Sequence, residues 1–485
     1  MRKLFKNKLL YIFLFFGIIY SLISLVNHYC FRTYALDLGA YTNAMFDYFH
    51  FRWNDSSVFK EVPENLLSDH FDLYLILFSP LIIFFKTYTL LIIQIVFVLI
   101  GAYGVYRYFR YRNAFSNSEI FSTIMCVSFL LYFGIYSALS YDYHSNVIAA
   151  MLVPFLFLYI RQRKWMKAFL ILFFICIGKE NMSLWMSFVM LGLMIEYRKE
   201  IEALKVLSLF FVFSVLYFLI ITKFVMPYFS NEGRFYQFHY SVLGSNYVSA
   251  FKNLILHPIQ TLKILFINHT KHPNADYVKA ELHLFILLSG LWALFFRPQY
   301  IVMIIPVYFQ KLFHDNYLIW GIDTHYSIEF APILIIGAGE FFLSVKKHNI
   351  QNSLASILLL LNLICTIRLM DNTILFTNKS RIRIYQSSHY ERKFNIQNVY
   401  DAINMIPDSS VVSAQTSILP HLSLRDKIYT FPILKDAEFI VLNQDDDTYP
   451  LDTIVYKQNV SQLLKDTLHW KIIFQKDAVF VLNKR

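Results

Sequence analysis

Apolar runs recur along the chain from residue 9 to residue 369, split by short polar links. The first, 9–26, follows Arg2, Lys3, Lys6 and Lys8; no small-residue cleavage motif follows it, so it reads as a retained first span. A polar, aromatic-rich stretch covers 28–70. The run 71–85 is short and interrupted by Pro80, which predicts an interfacial or half-inserted helix, whereas 87–106 ends in Arg107, Arg110 and Arg112 and predicts a crossing. Further spans are expected near 119–139, 145–160, 165–178, 180–196, 203–222, 282–296, 299–312, 326–344 and 350–369. Several are shorter than the roughly 20 residues that a bilayer core requires, and 299–312 could be re-entrant. The count is about eleven.

After residue 370 the pattern changes. A helix over 396–405 precedes short β-rich runs at 411–412, 428–431 and 439–442; a helix over 460–469 and strands over 471–475 and 479–482 follow. This predicts a small α/β domain. The fold class is therefore an α-helical multi-pass membrane protein (1–369) with large outer loops at 28–70 and 227–281, the latter holding a helix-like stretch over 247–267. A C-terminal extracytoplasmic α/β domain (370–485) completes it.

Composition supports that division. Of 485 residues, 57% are hydrophobic and only 16% charged, which excludes an ordinary soluble enzyme, a disordered chain or a coiled coil. A net charge of +11 is compatible with nucleic-acid binding, but its distribution argues otherwise. Residues 1–370 carry 30 Lys/Arg against 20 Asp/Glu, while the last 115 carry 14 against 13. The excess sits in links such as Arg161-to-Lys167, Arg198-Lys199 and Lys346-Lys347, the positive-inside pattern. The N-terminus is then cytoplasmic and the C-terminal domain outside. Cys30, Cys126, Cys176 and Cys365 are dispersed, with no CxxC to suggest a disulfide framework or zinc site.

Once basic residues set the topology, the unusual polar residues fall on one membrane face. Asp37 lies just after the first span, and Asp69-His70 ends the same loop. Asp142 and His144, Lys179-Glu180, Glu281 and His283, and His325-Tyr326 all sit at outer span ends. Charged groups at this depth are costly unless paired, and commonly face a cavity. Each has a plainer reading. Asp37 could cap a helix, Asp69 and His70 could tie down the loop, and Asp142 and His144 could anchor an interface among tyrosines. Lys179 and Glu180 could form a structural ion pair, and His325 could be a hydrogen-bonded helix end. The N and O donors of Asp69, His70, Asp142 and His144 leave a divalent cation open, without a tight ligand spacing to support it, so no metal site is assigned and no cofactor is expected. Asp445-Asp446-Asp447 lacks the Gly and Glu of a calcium loop and reads as a solvated turn.

Several short segments carry a resemblance. Leu36-Asp37-Leu38-Gly39, Asp69-His70-Phe71, Asp142-Tyr143-His144, Gly178-Lys179-Glu180-Asn181 and His325-Tyr326 occur in order. They are followed by Val412-Ser413-Ala414-Gln415, Leu419-Pro420-His421-Leu422-Ser423 and Ile428-Tyr429-Thr430-Phe431-Pro432. This set resembles an uncharacterised prokaryotic membrane-protein family, domain-of-unknown-function family 2079, whose members look like relatives of the GT-C glycosyltransferases. The resemblance implies a GT-C-like fold in a prokaryotic inner or plasma membrane. It also implies transfer of a sugar from a polyprenyl-phosphate donor to an unknown outer acceptor, with membrane lipid as a partner and no nucleic acid. Asp37 matches the acidic position of those enzymes, although Asp-Leu-Gly replaces their usual acidic pair. On that reading Asp37 and Asp69 are catalytic, and His70, Asp142, His144, Lys179, Glu180 and His325 bind substrate. Two other classes compete: a lipid or solute transporter or flippase, whose charges would reach mid-membrane and both faces, and a non-catalytic envelope assembly scaffold that docks through its tail.

Overall fold

A computed structural model describes residues 2–56, 58–59, 62–113 and 118–485; the side chains of Arg2, Lys3 and Lys6 lie outside that description. The chain is mostly helical. Among the described residues seven helical segments are long and apolar enough to cross a membrane: Lys8–Tyr29, Tyr74–Arg112, Glu119–Ser140, Ile201–Phe229, Pro273–Leu294, His325–Ser344 and His348–Asp371. The other four expected crossings are helices of 17, 12, 17 and 15 residues: Ser145–Arg161, Trp165–Cys176, Glu180–Glu196 and Pro298–Leu312. At 1.5 Å per residue, 17 residues reach only about 25 Å. Ser145–Arg161 is sheathed by its neighbours, most tightly by Thr89–Arg112. A Cβ at Gly101 would come 2.9 Å from Met151 Sδ, so only glycine lets these two backbones approach so closely.

The stretch 71–85 is indeed broken, into the short helices Tyr74–Phe78 and Ile82–Phe85. Two expectations are corrected in the loops. The segment 28–70 contains the helix Ala40–Phe49 and a two-stranded ribbon, β1 (Asp55–Ser56) and β2 (Glu64–Asn65). The stretch 247–267 forms two helices, Tyr247–Leu256 and Pro258–Ile264, because Pro258 cannot donate the hydrogen bond a continuous helix needs and instead begins the second.

The helix ends meet at two opposite poles of the bundle. At one, Glu340 accepts two hydrogen bonds from Arg112 (2.6 and 2.8 Å), one from Arg161 (3.2 Å) and one from Tyr108 (2.7 Å), and Arg161 also pairs with Glu196 at 3.0 Å. Three helices are tied there through one buried carboxylate, and Arg161 adds a fourth through Glu196. Residues 142–144, 179–180 and 325–326, at the opposite ends of three of these helices, mark the other pole.

The C-terminal segment folds into a five-stranded sheet over β3 (Val412–Ala414), β4 (Ile428–Thr430), β5 (Phe439–Asn443), β6 (Trp470–Lys476) and β7 (Val479–Lys484), in the order β4-β3-β5-β7-β6. β3 is parallel to β4 and β5; β7 is antiparallel to β5 and β6. The expected helix 460–469 runs instead over Thr453–Lys465, because Asp452 caps the N–H groups of Ile454 and Val455. Asp446 is not solvated as expected: its side chain is buried, pairs with Arg392 and accepts a hydrogen bond from Ser417. The sheet shares one apolar core with the helices, through Val412, Ala414, Leu419 and Val441. Polar ties reinforce the seam. Arg32 donates to the carbonyls of Ser388, His389 and Glu391, Asn43 donates to those of Ser423 and Arg425, and His28 stacks on His421 at 4.0 Å.

Candidate functional site

The turn Ala35–Gly39 places Asp37 in a backbone conformation rare for a side-chain-bearing residue, φ 69° and ψ −96°. Such geometry costs about 1–3 kcal/mol and persists only where the surroundings over-determine it. They do so here. Asp142 accepts the Tyr34 N–H at 2.8 Å and also that of Leu38, while the Thr416 carbonyl accepts the Ala35 N–H at 2.8 Å. Gly39 lies so close beneath Leu419 that a Cβ there would come 2.6 Å from Cδ2. The turn is therefore clamped between the helix bundle and the tail.

The Asp37 carboxylate is 22% exposed, and its Oδ2 stands 3.9 Å from His144 Nε2. Burial, with the Asp142 charge adding to it, raises the Asp37 pKa to about 7, although His70 and Lys179 oppose the shift. Behind it, His144 stacks on His325 with ring centroids 3.3 Å apart. His144 Nε2 and both ring nitrogens of His325 are buried without hydrogen-bond partners among the described residues. Burial, reinforced by Lys179 and His70, holds His144 well below the usual imidazole range and therefore neutral.

A short turn, Leu66–Ser68, capped by Asn65, delivers Asp69 and His70. Asp69 Oδ1 accepts a 2.7 Å hydrogen bond from Gln237. Glu180 receives His70 Nδ1 at 3.2 Å and the Phe71 N–H at 3.1 Å, so its partner is His70 rather than Lys179. Burial and the Lys179 charge push His70 down, but Asp69 and Glu180 outweigh them and keep its pKa above the ordinary value. Lys179 is 7% exposed, and its ammonium has no hydrogen bond or ion pair to any described residue. An unpaired cation so placed is suited to an anionic ligand.

Two cavities flank this cluster. The first, about 370 Å³, is walled by apolar side chains including Phe188, Phe218, Phe251 and Phe309, with His70, Lys179, Glu180 and Tyr326 at its polar end. The second, about 320 Å³, takes in Asp37 and Asp69, and its far wall is Thr430, Pro432, Ile433, Tyr449 and Pro450 of the tail. The adjacent residues Asp69 and His70 border one cavity each.

Not every expected residue faces these spaces. Asp142, His144 and His325 line neither: Asp142 holds the Asp37 turn and pairs with Arg381 at 3.1 Å, and the two histidines lie behind Asp37. Glu281 accepts the Ile374 N–H, and His283 bonds the Leu265 carbonyl. Among the described residues no three His, Cys, Asp or Glu side chains converge as metal ligands would. Three contributors escaped sequence reasoning. Asp72 is buried against Tyr143 and the Tyr74 N–H, with its pKa raised to about 7 by burial. Gln237 holds Asp69, and Arg381 holds Asp142. Arg381 did carry a signal: Lys379, Arg381 and Arg383 form a basic run where outer loops are normally poor in cations.

The anchoring role of Asp142 predicts that Asp142→Asn, which removes charge from Arg381 and an acceptor from the turn, costs about 1–3 kcal/mol. Thermal unfolding in detergent measures this, and a midpoint equal to that of the wild type would refute the role.

A family model described as a predicted membrane protein, DUF2079, matches residues 27–481. No curated protein matches the sequence.

Proposed function

The chain belongs to the DUF2079 family of predicted membrane proteins, and on that premise we propose that it is a membrane glycosyltransferase, GT-C-like. It has about eleven crossings, a cytoplasmic N-terminus and an outer C-terminal domain in a prokaryotic inner or plasma membrane. It moves a sugar from a polyprenyl-phosphate carrier to an acceptor outside. The observation that carries this reading is the pairing of an apolar cavity that has Lys179 and His70 in its lining with a second cavity lined by Asp37 and Asp69, the neighbours Asp69 and His70 bordering one cavity each.

The lipid chain occupies the apolar cavity, with its phosphate against Lys179 and His70. Glu180 fixes the His70 ring, and Asp69 orients the acceptor from across the junction. Asp37 takes the proton of the acceptor hydroxyl as that oxygen bonds to the anomeric carbon. The bond from this carbon to the phosphate oxygen breaks, and its electron pair leaves with the phosphate. Lys179 and protonated His70 stabilise that charge. Asp142, with the His144–His325 stack behind it, positions Asp37. The ion cluster at Glu340 ties the helices together at the opposite pole, which supports a site served from one face over a pathway through the bundle.

Asp37 accepts a proton only when ionised. The rate kcat/KM should therefore rise with pH up to about 7 and fall again once His70 loses its proton, above the ordinary histidine value. A pH profile lacking the acidic limb in the wild type would contradict the assignment. The direct test of donor class is lipid mass spectrometry on protein purified gently from its own membranes. A polyprenyl-phosphate sugar should co-purify and accumulate in Asp37→Ala; finding none in either sample favours the transporter and scaffold readings.

A further inference from the structure

The second cavity differs chemically from the first. Its described lining includes the carboxylates of Asp37 and Asp69, with a third, Glu64, already engaged by neighbouring groups, and no Lys, Arg or His. Thr430 contributes a buried hydroxyl that has no hydrogen-bond partner among the described residues. Glu64 is fixed in place, since it accepts the Asn231 N–H at 2.8 Å. On the opposite side Tyr449, 49% exposed, stands with Pro432 and Pro450 to form a flat apolar wall.

Carboxylates accept strong, charge-assisted hydrogen bonds from hydroxyl donors, and several of them around one space repel an anion. A ring–proline wall suits the C–H face of a pyranose, whose hydroxyls would then point toward the carboxylates, with Thr430 beside the wall as a further polar contact. The neighbouring cavity, with Lys179 and His70, has the opposite preference. We propose that the second cavity is a binding site for an uncharged, polyhydroxylated acceptor, a neutral glycan end, and that the tail segment 430–450 sets its selectivity. As an acceptor site it rests on the transfer reading; as a neutral-glycan site it can be tested by binding alone.

The experiment uses the full chain in lipid nanodiscs at pH 8, above the Asp37 value of about 7. Saturation-transfer NMR is run against neutral tetrasaccharides (glucose, galactose, mannose and N-acetylglucosamine series) and against uronic-acid tetramers. At least one neutral probe should bind and no uronic acid should. Tyr449→Ala, a change at an exposed side chain, should weaken the neutral probe about three- to tenfold, as expected for loss of one aromatic contact. Thr430→Trp, which fills the cavity, should abolish binding, and Ile433→Trp tests the same wall if the first variant does not fold. Tighter binding of a uronic acid, no binding of any neutral probe, or neutral binding unmoved by these substitutions would overturn the inference. Neutral binding in a protein with no transfer activity supports the site while removing the transfer reading. Transfer to an anionic acceptor does the reverse.

Discussion

Asp37→Asn should fold as the wild type does and transfer sugar about 10²–10⁴ times more slowly, the usual contribution of a positioned general base. The substitution suits the test because asparagine shares with aspartate a tolerance for positive φ, so the clamped turn is not asked to change shape. Asp37→Ala removes the same carboxylate but adds backbone strain, which makes it the weaker probe of chemistry. The loss should fall on kcat, because the proposed phosphate and lipid contacts are assigned to Lys179, His70 and the apolar cavity rather than to Asp37. Single-turnover rates with a bound lipid donor separate the two terms. Full activity in Asp37→Asn, Asp37→Ala and Asp69→Ala alike would end the enzymatic reading.

The second large effect concerns stability at the opposite pole. Glu340→Ala should destabilise the protein by about 3–5 kcal/mol, because it leaves Arg112 and Arg161 without their shared carboxylate and Tyr108 without its acceptor. Glu340→Gln preserves the shape but not the charge and should fall between the alanine variant and the wild type. Neither touches the cavities, so thermal unfolding should drop while any probe binding at low temperature persists. Unfolding of Glu340→Ala at the wild-type midpoint would show that the three helices joined by this carboxylate are held by packing alone.

Much of this arrangement was legible in the chain. Hydrophobic runs and basic links forecast the helices and gathered Asp37, Asp69, His70 and Lys179 at one end, since helix direction alone decides which polar groups share a face. The pattern could not tell a side chain that opens on a cavity from one that turns inward. Asp142 and Asp69 look alike in sequence, yet one is consumed by backbone N–H groups and Arg381 while the other borders open space. That difference arises from contacts more than 100 residues apart, as in the bond from Tyr34 to Asp142. Helix ends were misjudged where a single residue overrides periodicity, as Asp452 does at Thr453–Lys465 and Pro258 at its helix start. Asp446 misled for a further reason: three successive acids suggest water, and only the fold brings Arg392 to the middle one.

The seam between Ala35 and Thr416 also bears on how the molecule is made. The ribosome releases Asp37 early and residues 430–450 near the end, so synthesis leaves the turn without its Thr416 acceptor, and the second cavity without its far wall, until the tail emerges. A nascent or truncated chain would then have its centre still open and the Asp37 turn held from the Asp142 side alone. Completion of the site thereby becomes a late event in biogenesis, coupled to delivery of the tail to the same side as residue 37.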